Sequence, residues 1–249
     1  MKKIIYIFFL TLLWGCDSEH AGDCFQKAGH LVQSEVDVDF FDKIVVNRNV
    51  ELVLKEGANQ KVSIETGKNL FNDVEVKVVN GVLELTDNNT CNYVRDYSAT
   101  KVYVTAPNIT EIRSSSQYDV SSDGVLTYPN LKILSEDFFA PGFFTIGDFK
   151  LQIDNTNFDI IFNNISACYV SGKTENLNIG FYAGTPSRFE GADLIAQHVT
   201  IYTRASNDII VNPQSELKGT ITGTGDVFSV TMPPLVDVEV LYKGQLIFK

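Results

Sequence analysis

Carboxylates are the most abundant reactive groups in this sequence, 31 Asp and Glu against 20 Lys and Arg. Asp137, Asp154 and Asp159 could meet on one face, as general acid and base work on a glycan would require. Two such carboxylates must also share a cleft and differ in protonation. The simpler role for aspartates at this spacing is at chain corners, where the side chain bonds nearby backbone. The three histidines, His20, His30 and His198, are dispersed, and the cysteine spacing does not fit zinc. Gly-x-Ser-x-Gly elbows, His-Glu-x-x-His pairs and phosphate loops are lacking, which removes the usual carriers of hydrolase, metalloprotease and nucleotide chemistry. The reading is therefore no catalytic residue, no metal and no cofactor. The single Gly223-Thr-Gly-Asp226 lacks the stacked copies of calcium-binding repeats and reads as a turn.

Cysteine is more informative. Lys2 and Lys3 precede an apolar run from Ile4 to Trp14, the layout of a secretory signal and too short to span a bilayer. Leu12-Leu-Trp-Gly-Cys16 resembles a bacterial lipobox. That implies a signal peptide over 1–15 and a mature chain tethered to the membrane by lipid on Cys16, followed by a short segment over 16–39. The acids in Cys16-Asp-Ser-Glu-His20 resemble surface-export signals, so the expected address is the outer membrane or cell surface. Of the other cysteines, Cys24 and Cys91 sit in polar, loop-like contexts and are expected to form a disulfide; Cys168, in Ser-Ala-Cys-Tyr-Val, reads as a buried small hydrophobe. Removing residues 1–15 takes two lysines from the net charge of −11, leaving −13, a sign that disfavours nucleic acid.

The elements that must hold these residues are strands. Segments such as Val50-Glu-Leu-Val-Leu, Val74-Glu-Val-Lys-Val and Val102-Tyr-Val alternate apolar and polar residues, and Asn80-Gly81 predicts a two-residue hairpin, hence some antiparallel pairing in the N-terminal half. Helix is expected only over 19–32, where a tether would serve equally. From residue 108 a longer period appears. Ile112, Ile133, Ile153, Ile179, Ile201 and Ile221 recur 21, 20, 26, 22 and 20 residues apart, and Asp119-Val, Asp159-Ile, Asp208-Ile and Asp226-Val form a second series. Without helix, a period near twenty predicts a β-solenoid in which like residues stack from turn to turn. A sandwich also spaces its strands regularly, but matched columns are harder to produce there. The expected organisation is an N-terminal β lobe over 40–107 and a solenoid lobe over 108–249. Phe138, Phe139, Phe143 and Phe144 cluster in an irregular stretch; they either pack over the core or, if exposed, offer a binding surface.

Phe41-Asp-Lys-Ile-Val-Val, Asn49-Val-Glu-Leu-Val-Leu-Lys-Glu-Gly57, Asn80-Gly-Val-Leu-Glu-Leu, Lys101-Val-Tyr-Val-Thr-Ala-Pro107 and Gly223-Thr-Gly-Asp-Val227 occur in order. This series, over residues 40–230, resembles the head GIN domain family of auto-transporter adhesins, exported chains found mostly in Bacteroidetes. The resemblance implies an all-β, right-handed parallel β-helix, commonly in two lobes, and adhesin-like binding of a glycan or protein. The family's Gly-Ser-Gly corners are degraded here to Arg113-Ser-Ser-Ser-Gln-Tyr-Asp119 and Thr203-Arg-Ala-Ser-Asn-Asp208. A polysaccharide-acting enzyme on the same scaffold and a purely structural or sensing lipoprotein are the alternative expectations.

Overall fold

The computed structural model of the chain describes residues 23–89, 91–95, 100–137 and 145–249. Cys16, the signal segment and Phe138, Phe139, Phe143 and Phe144 lie outside the described residues. The protein is all-β. Its strands are β1 (Leu31–Val36), β2 (Lys43–Val46), β3 (Val50–Glu56), β4 (Lys61–Gly67), β5 (Val74–Val79), β6 (Val82–Asp87), β7 (Thr100–Ala106), β8 (Glu111–Ser114) and β9 (Val120–Leu126). They continue as β10 (Asn130–Ser135), β11 (Phe149–Phe162), β12 (Ala167–Phe181), β13 (Arg188–Thr203), β14 (Ile209–Ile221), β15 (Val227–Ser229), β16 (Leu235–Val240) and β17 (Leu246–Phe248). All belong to one hydrogen-bonded sheet.

Antiparallel pairing is confined to the N-terminal half. β5 and β6 form the hairpin predicted at Asn80-Gly81, both of which take positive φ as the tight turn requires. β4 pairs antiparallel with both β1 and β7. Of the segment over 19–32 expected to be helix or tether, the described residues form a short 3-10 turn at Asp23–Phe25 and then enter β1 at Leu31. Every other pairing is parallel. β8 joins β2 to β10 and β9 joins β3 to β11, so the sheet crosses residue 107 without a break.

The long strands serve two faces each. In β11 the buried positions are Phe149, Leu151 and Ile153, then Phe158, Ile160 and Phe162; the inward phase slips by one residue between the two sets, which turns the strand around a corner. Register then aligns Ile44, Ile112, Ile133, Ile160, Ile179 and Ile201 as one buried column, ending opposite Gly219. Two isoleucines of the expected series fall elsewhere. Ile153 pairs with Gly172 on the other arm of the corner, and Ile221 pairs with Thr203, two residues beyond the column. Both are buried, so spacing alone located inward residues but not which inward column each occupies.

The aspartate series forms a second column. Val120, Phe149, Cys168, Phe189, Ile209 and Val227 stack in register, and Asp119, Asp148, Asp208 and Asp226 each precede a member of it. Each carboxylate accepts a backbone N–H from the next strand in the stack: Asp119 from Asp148 at 3.1 Å, Asp148 from Ala167 at 3.2 Å, Asp208 from Asp226 at 2.9 Å and Asp226 from Gln245 at 2.8 Å. Repetition of a turn, an aspartate and an aliphatic thus has a mechanical cause: the carboxylate ties one tier to the next while the following side chain enters the core. Asp159 stands outside this ladder, since Ile160 belongs to the isoleucine column. Cys168, fully buried between two phenylalanines of its column, fills the role of a small hydrophobe.

At the N-terminal end, Cys24 and Cys91 are joined by a disulfide, as the sequence predicts. Tyr93 N donates to Cys24 O at 2.9 Å, Arg95 donates to Gln26 O and Cys91 O at 2.9 Å each, and the rings of Phe25 and Tyr93 are 5.8 Å apart. At the far end, among the described residues, β16 pairs only with β14 and β17 only with β15, and Leu235, Val240, Leu241 and Tyr242 are exposed there.

Candidate functional site

An open concavity lies where β9, β11, β12 and β13 run side by side, and it is produced by mismatched register. Lys150 and Gln152 of β11 pair with Ser121 and Val125 of β9, so one residue on β11 lies opposite three on β9: Ser122, Asp123 and Gly124. On the other side, Tyr169 and Gly172 of β12 pair with Glu190 and Leu194 of β13, setting two residues against Gly191, Ala192 and Asp193. β11 and β12 themselves stay in unbroken register from Lys150 opposite Tyr169 to Gln152 opposite Ser171. Two bulged strands thus rise as lips on either side of two straight ones. Bulges re-aim side chains and concentrate next to functional sites. Three strand spacings place the lips roughly 14 Å apart.

The resulting groove has a volume of about 590 Å³ and is open to solvent. Its floor carries Lys150, Gln152, Tyr169 and Ser171, outward positions of strands whose alternate residues Leu151 and Val170 are buried. Gly124 lets the first lip turn, with a φ of +94° and open space where a Cβ would be. Gln152 N donates to Ser122 Oγ at 2.9 Å, bracing that lip against the floor.

Charge in the groove is mixed and largely paired. Lys150 contacts Asp119, and the bond to that carboxylate holds the ammonium above its ordinary value. Lys55 contacts Asp123 at 2.7 Å, and Arg188 pairs with Glu190. With half-exposed partners these pairs fix orientation more than they stabilise. Tyr169 is the one ring on the floor, 41% exposed. The arrangement offers an aromatic face, hydroxyl and amide groups, and charges of both signs, a set suited to holding a polar ligand.

The structure does not gather Asp137, Asp154 and Asp159. Asp137 bonds Asn163 Nδ2 at 2.6 Å, Asp154 pairs with Lys173 at 3.1 Å, and Asp159 accepts from Asn178 Nδ2 at 2.7 Å. Asp154 and Asp159 lie on opposite sides of the β11 corner. Among the described residues there is no group of three or more His, Cys, Asp and Glu placed to hold a metal ion, and no helix long and apolar enough to cross a membrane. The expected phenylalanine surface falls outside the described residues, so the groove is assembled from residues the sequence reading did not single out. Its one sequence signal was the polar interruption Ser121-Ser-Asp-Gly124 inside a strand pattern, a bulge signature.

An all-β body of tiered parallel strands bearing an open groove is the class defined by these features. Residues 40–233 match the family described as "Putative auto-transporter adhesin, head GIN domain", and the chain belongs to that family. No curated protein matches it significantly. Among solved structures it is similar to a "putative adhesin" from Bacteroides fragilis, with a TM-score of 0.79 and 17% identity over 90% of this chain and 99% of that one. It is also similar to a "putative adhesin" from Parabacteroides merdae, with a TM-score of 0.64 and 15% identity over 89% and 97% of the two chains. A "putative lipid binding protein" from Parabacteroides distasonis follows, with a TM-score of 0.55 and 14% identity over 89% and 97%. At these identities the likeness establishes the fold.

Proposed function

We propose that the chain is an exported envelope protein, anchored through lipid on Cys16 at the outer membrane or cell surface, that binds or displays a glycan or protein partner in the manner of an adhesin and does no catalysis. The body is a right-handed parallel β-helix in this reading. Registers that advance by about twenty residues between parallel strands support the winding, and parallel crossovers are right-handed in about 98% of cases. The observation that carries the binding reading is the groove between the bulged lips of β9 and β13. It is wide, shallow and polar; of its three carboxylates Asp123 and Glu190 are engaged by Lys55 and Arg188 and Asp193 is exposed on the lip, so none is set in the secluded environment that a general acid needs. Family membership agrees with an exported, adhesin-like role.

The test is a glycan array and a surface-proteome capture with the purified body, comparing the native chain with Tyr169→Ala. Binding of a glycan or a protein that weakens roughly tenfold in the variant, the loss of one well-packed aromatic contact, is the expected result. Cleavage of an arrayed glycan would replace this reading with an enzymatic one, and absence of any partner would favour a structural role. Acyl labelling that disappears in Cys16→Ser, together with protease sensitivity on intact cells, tests the anchor and its leaflet.

A further inference from the structure

We propose that a second face of the body, on the other arm of the same strands, is a saccharide-binding platform built on Tyr182 and Tyr202. The two rings stack at 5.2 Å between centroids with an interplanar angle of 26°, and 42% and 36% of these residues are exposed. Gly180 makes the arrangement possible. A Cβ there would lie 2.6 Å from Tyr182 Cε2, so the ring lies across the glycine where any other residue would lift it off the sheet. Tyr202 is the register partner of Gly180 on β13, which brings its ring into the stack with Tyr182, the residue that follows β12.

One side-chain row away, Lys132, Asp159, Asn178 and Thr200 are successive register partners and form a polar line parallel to the ring pair. Rows on the same face are two residues apart, about 6–7 Å. Asn178 Nδ2 donates to Asp159 Oδ1 at 2.7 Å, which fixes both planar groups and leaves Asp159 Oδ2 and Asn178 Oδ1 as acceptors. Rings and polar line together wall a cleft of about 300 Å³.

The exposed part of a stacked aromatic pair beside a row of fixed donors and acceptors matches the two-sided chemistry of a pyranose. The C–H groups on one face of the sugar carry partial positive charge and suit the negative face of an aromatic ring. The hydroxyls at its edge suit carboxylate, amide, hydroxyl and ammonium partners fixed in place. A peptide lacks that pairing of an apolar face with a hydroxylated rim. The platform is separate from the groove: none of its residues lines the cavity between the bulged lips.

The test uses the full body labelled on its tyrosine rings and titrated, by NMR, with the methyl pyranosides of glucose, galactose, mannose and N-acetylglucosamine at millimolar concentration. At least one sugar is expected to shift the Tyr182 and Tyr202 ring signals while leaving those of exposed Tyr242 in place. Tyr202→Ala and Asp159→Asn should each weaken that binding about tenfold, while Tyr93→Ala, an exposed ring at the disulfide end outside both sites, leaves it unchanged. If no pyranoside moves the two rings, or if binding survives both platform variants in folded protein, the proposal is overturned. Loss of sugar binding only in Tyr169→Ala would also overturn it, while leaving the groove reading intact.

Discussion

A carboxylate that accepts a backbone N–H from the next tier does two jobs at a corner: it satisfies a donor that the sheet ladder has left, and it sets the height of the turn. Asp208 holds Asp226 N in this way and Asp226 holds Gln245 N. Replacing Asp208 by alanine strands the Asp226 N–H, so unfolding in urea should show a loss of about 1–3 kcal/mol, with Asp208→Asn losing less because an acceptor remains. Cys168 makes the opposite case, a reactive group silenced by its surroundings. Complete burial pushes its thiol above the ordinary value of 9.0. The folded state therefore favours the protonated thiol. The stabilising effect is fully present below the unfolded value and declines as pH rises beyond it. Native protein should resist iodoacetamide at pH 8 and label at Cys168 only when unfolded, as mass spectrometry would report.

Between strands, the tiers approach closely enough that glycine becomes a positional requirement. Gly219 adopts a φ of +136°, and a Cβ there would stand 1.8 Å from Ile201 O, against the backbone of the neighbouring strand. Gly124, at the lip of the groove, has a φ of +94° but open space around it. Gly219→Ala should therefore cost well beyond the ~1–2 kcal/mol of backbone strain expected for Gly124→Ala, measured by thermal unfolding of the pair. The same comparison shows what the sequence made legible. Alternation identified strands, Asn80-Gly81 its hairpin, and the aspartate series most of a real ladder. It missed Asp148, whose following phenylalanine broke the aliphatic pattern, and misplaced Asp159, Ile153 and Ile221. The cause is the phase slip at each corner: a single strand such as β11 carries inward residues on two faces, and spacing cannot tell Ile153 from Ile160. The β13 bulge is equally hidden, unlike the β9 bulge with its Ser-Ser-Asp-Gly signature, because Gly191-Ala-Asp193 is recognisable as an insertion only against the partners it fails to match. Nor does any local pattern announce the stacking of Tyr182 on Tyr202, which depends on Gly180 lying beneath a ring from two residues on.

For the whole molecule, stability comes from long columns of buried side chains shared by both halves of the chain. Each fully buried Ile or Phe contributes roughly 1.5–3 kcal/mol, and the isoleucine column runs from Ile44 to Ile201. The N-terminal segment is held differently, by β1 against β4 and by a disulfide spanning 67 residues. Loop closure of that size is worth about 4 kcal/mol in the chain-entropy model. A Cys24→Ser, Cys91→Ser double variant should lower the melting temperature and expose residues 23–25 to protease, since Gln26 to His30 keep their bonds to Lys68 and Asn69, while keeping the β-sheet circular dichroism of the body.

The clasp at Cys24 also sets a length. With lipid on Cys16, eight chain steps (16 to 24) separate the acyl group from the point where the polypeptide is stapled down, a reach of at most ~28 Å. Cutting the staple would move the first fixed point to Gln26, whose side chain donates to Asn69 O at 2.8 Å, and extend that reach to ~35 Å. In the proposed lipid-anchored form, an oxidised chain would thus ride closer to the bilayer than a reduced one by up to ~7 Å, so external thiols would trim how far its grooves stand off from the cell.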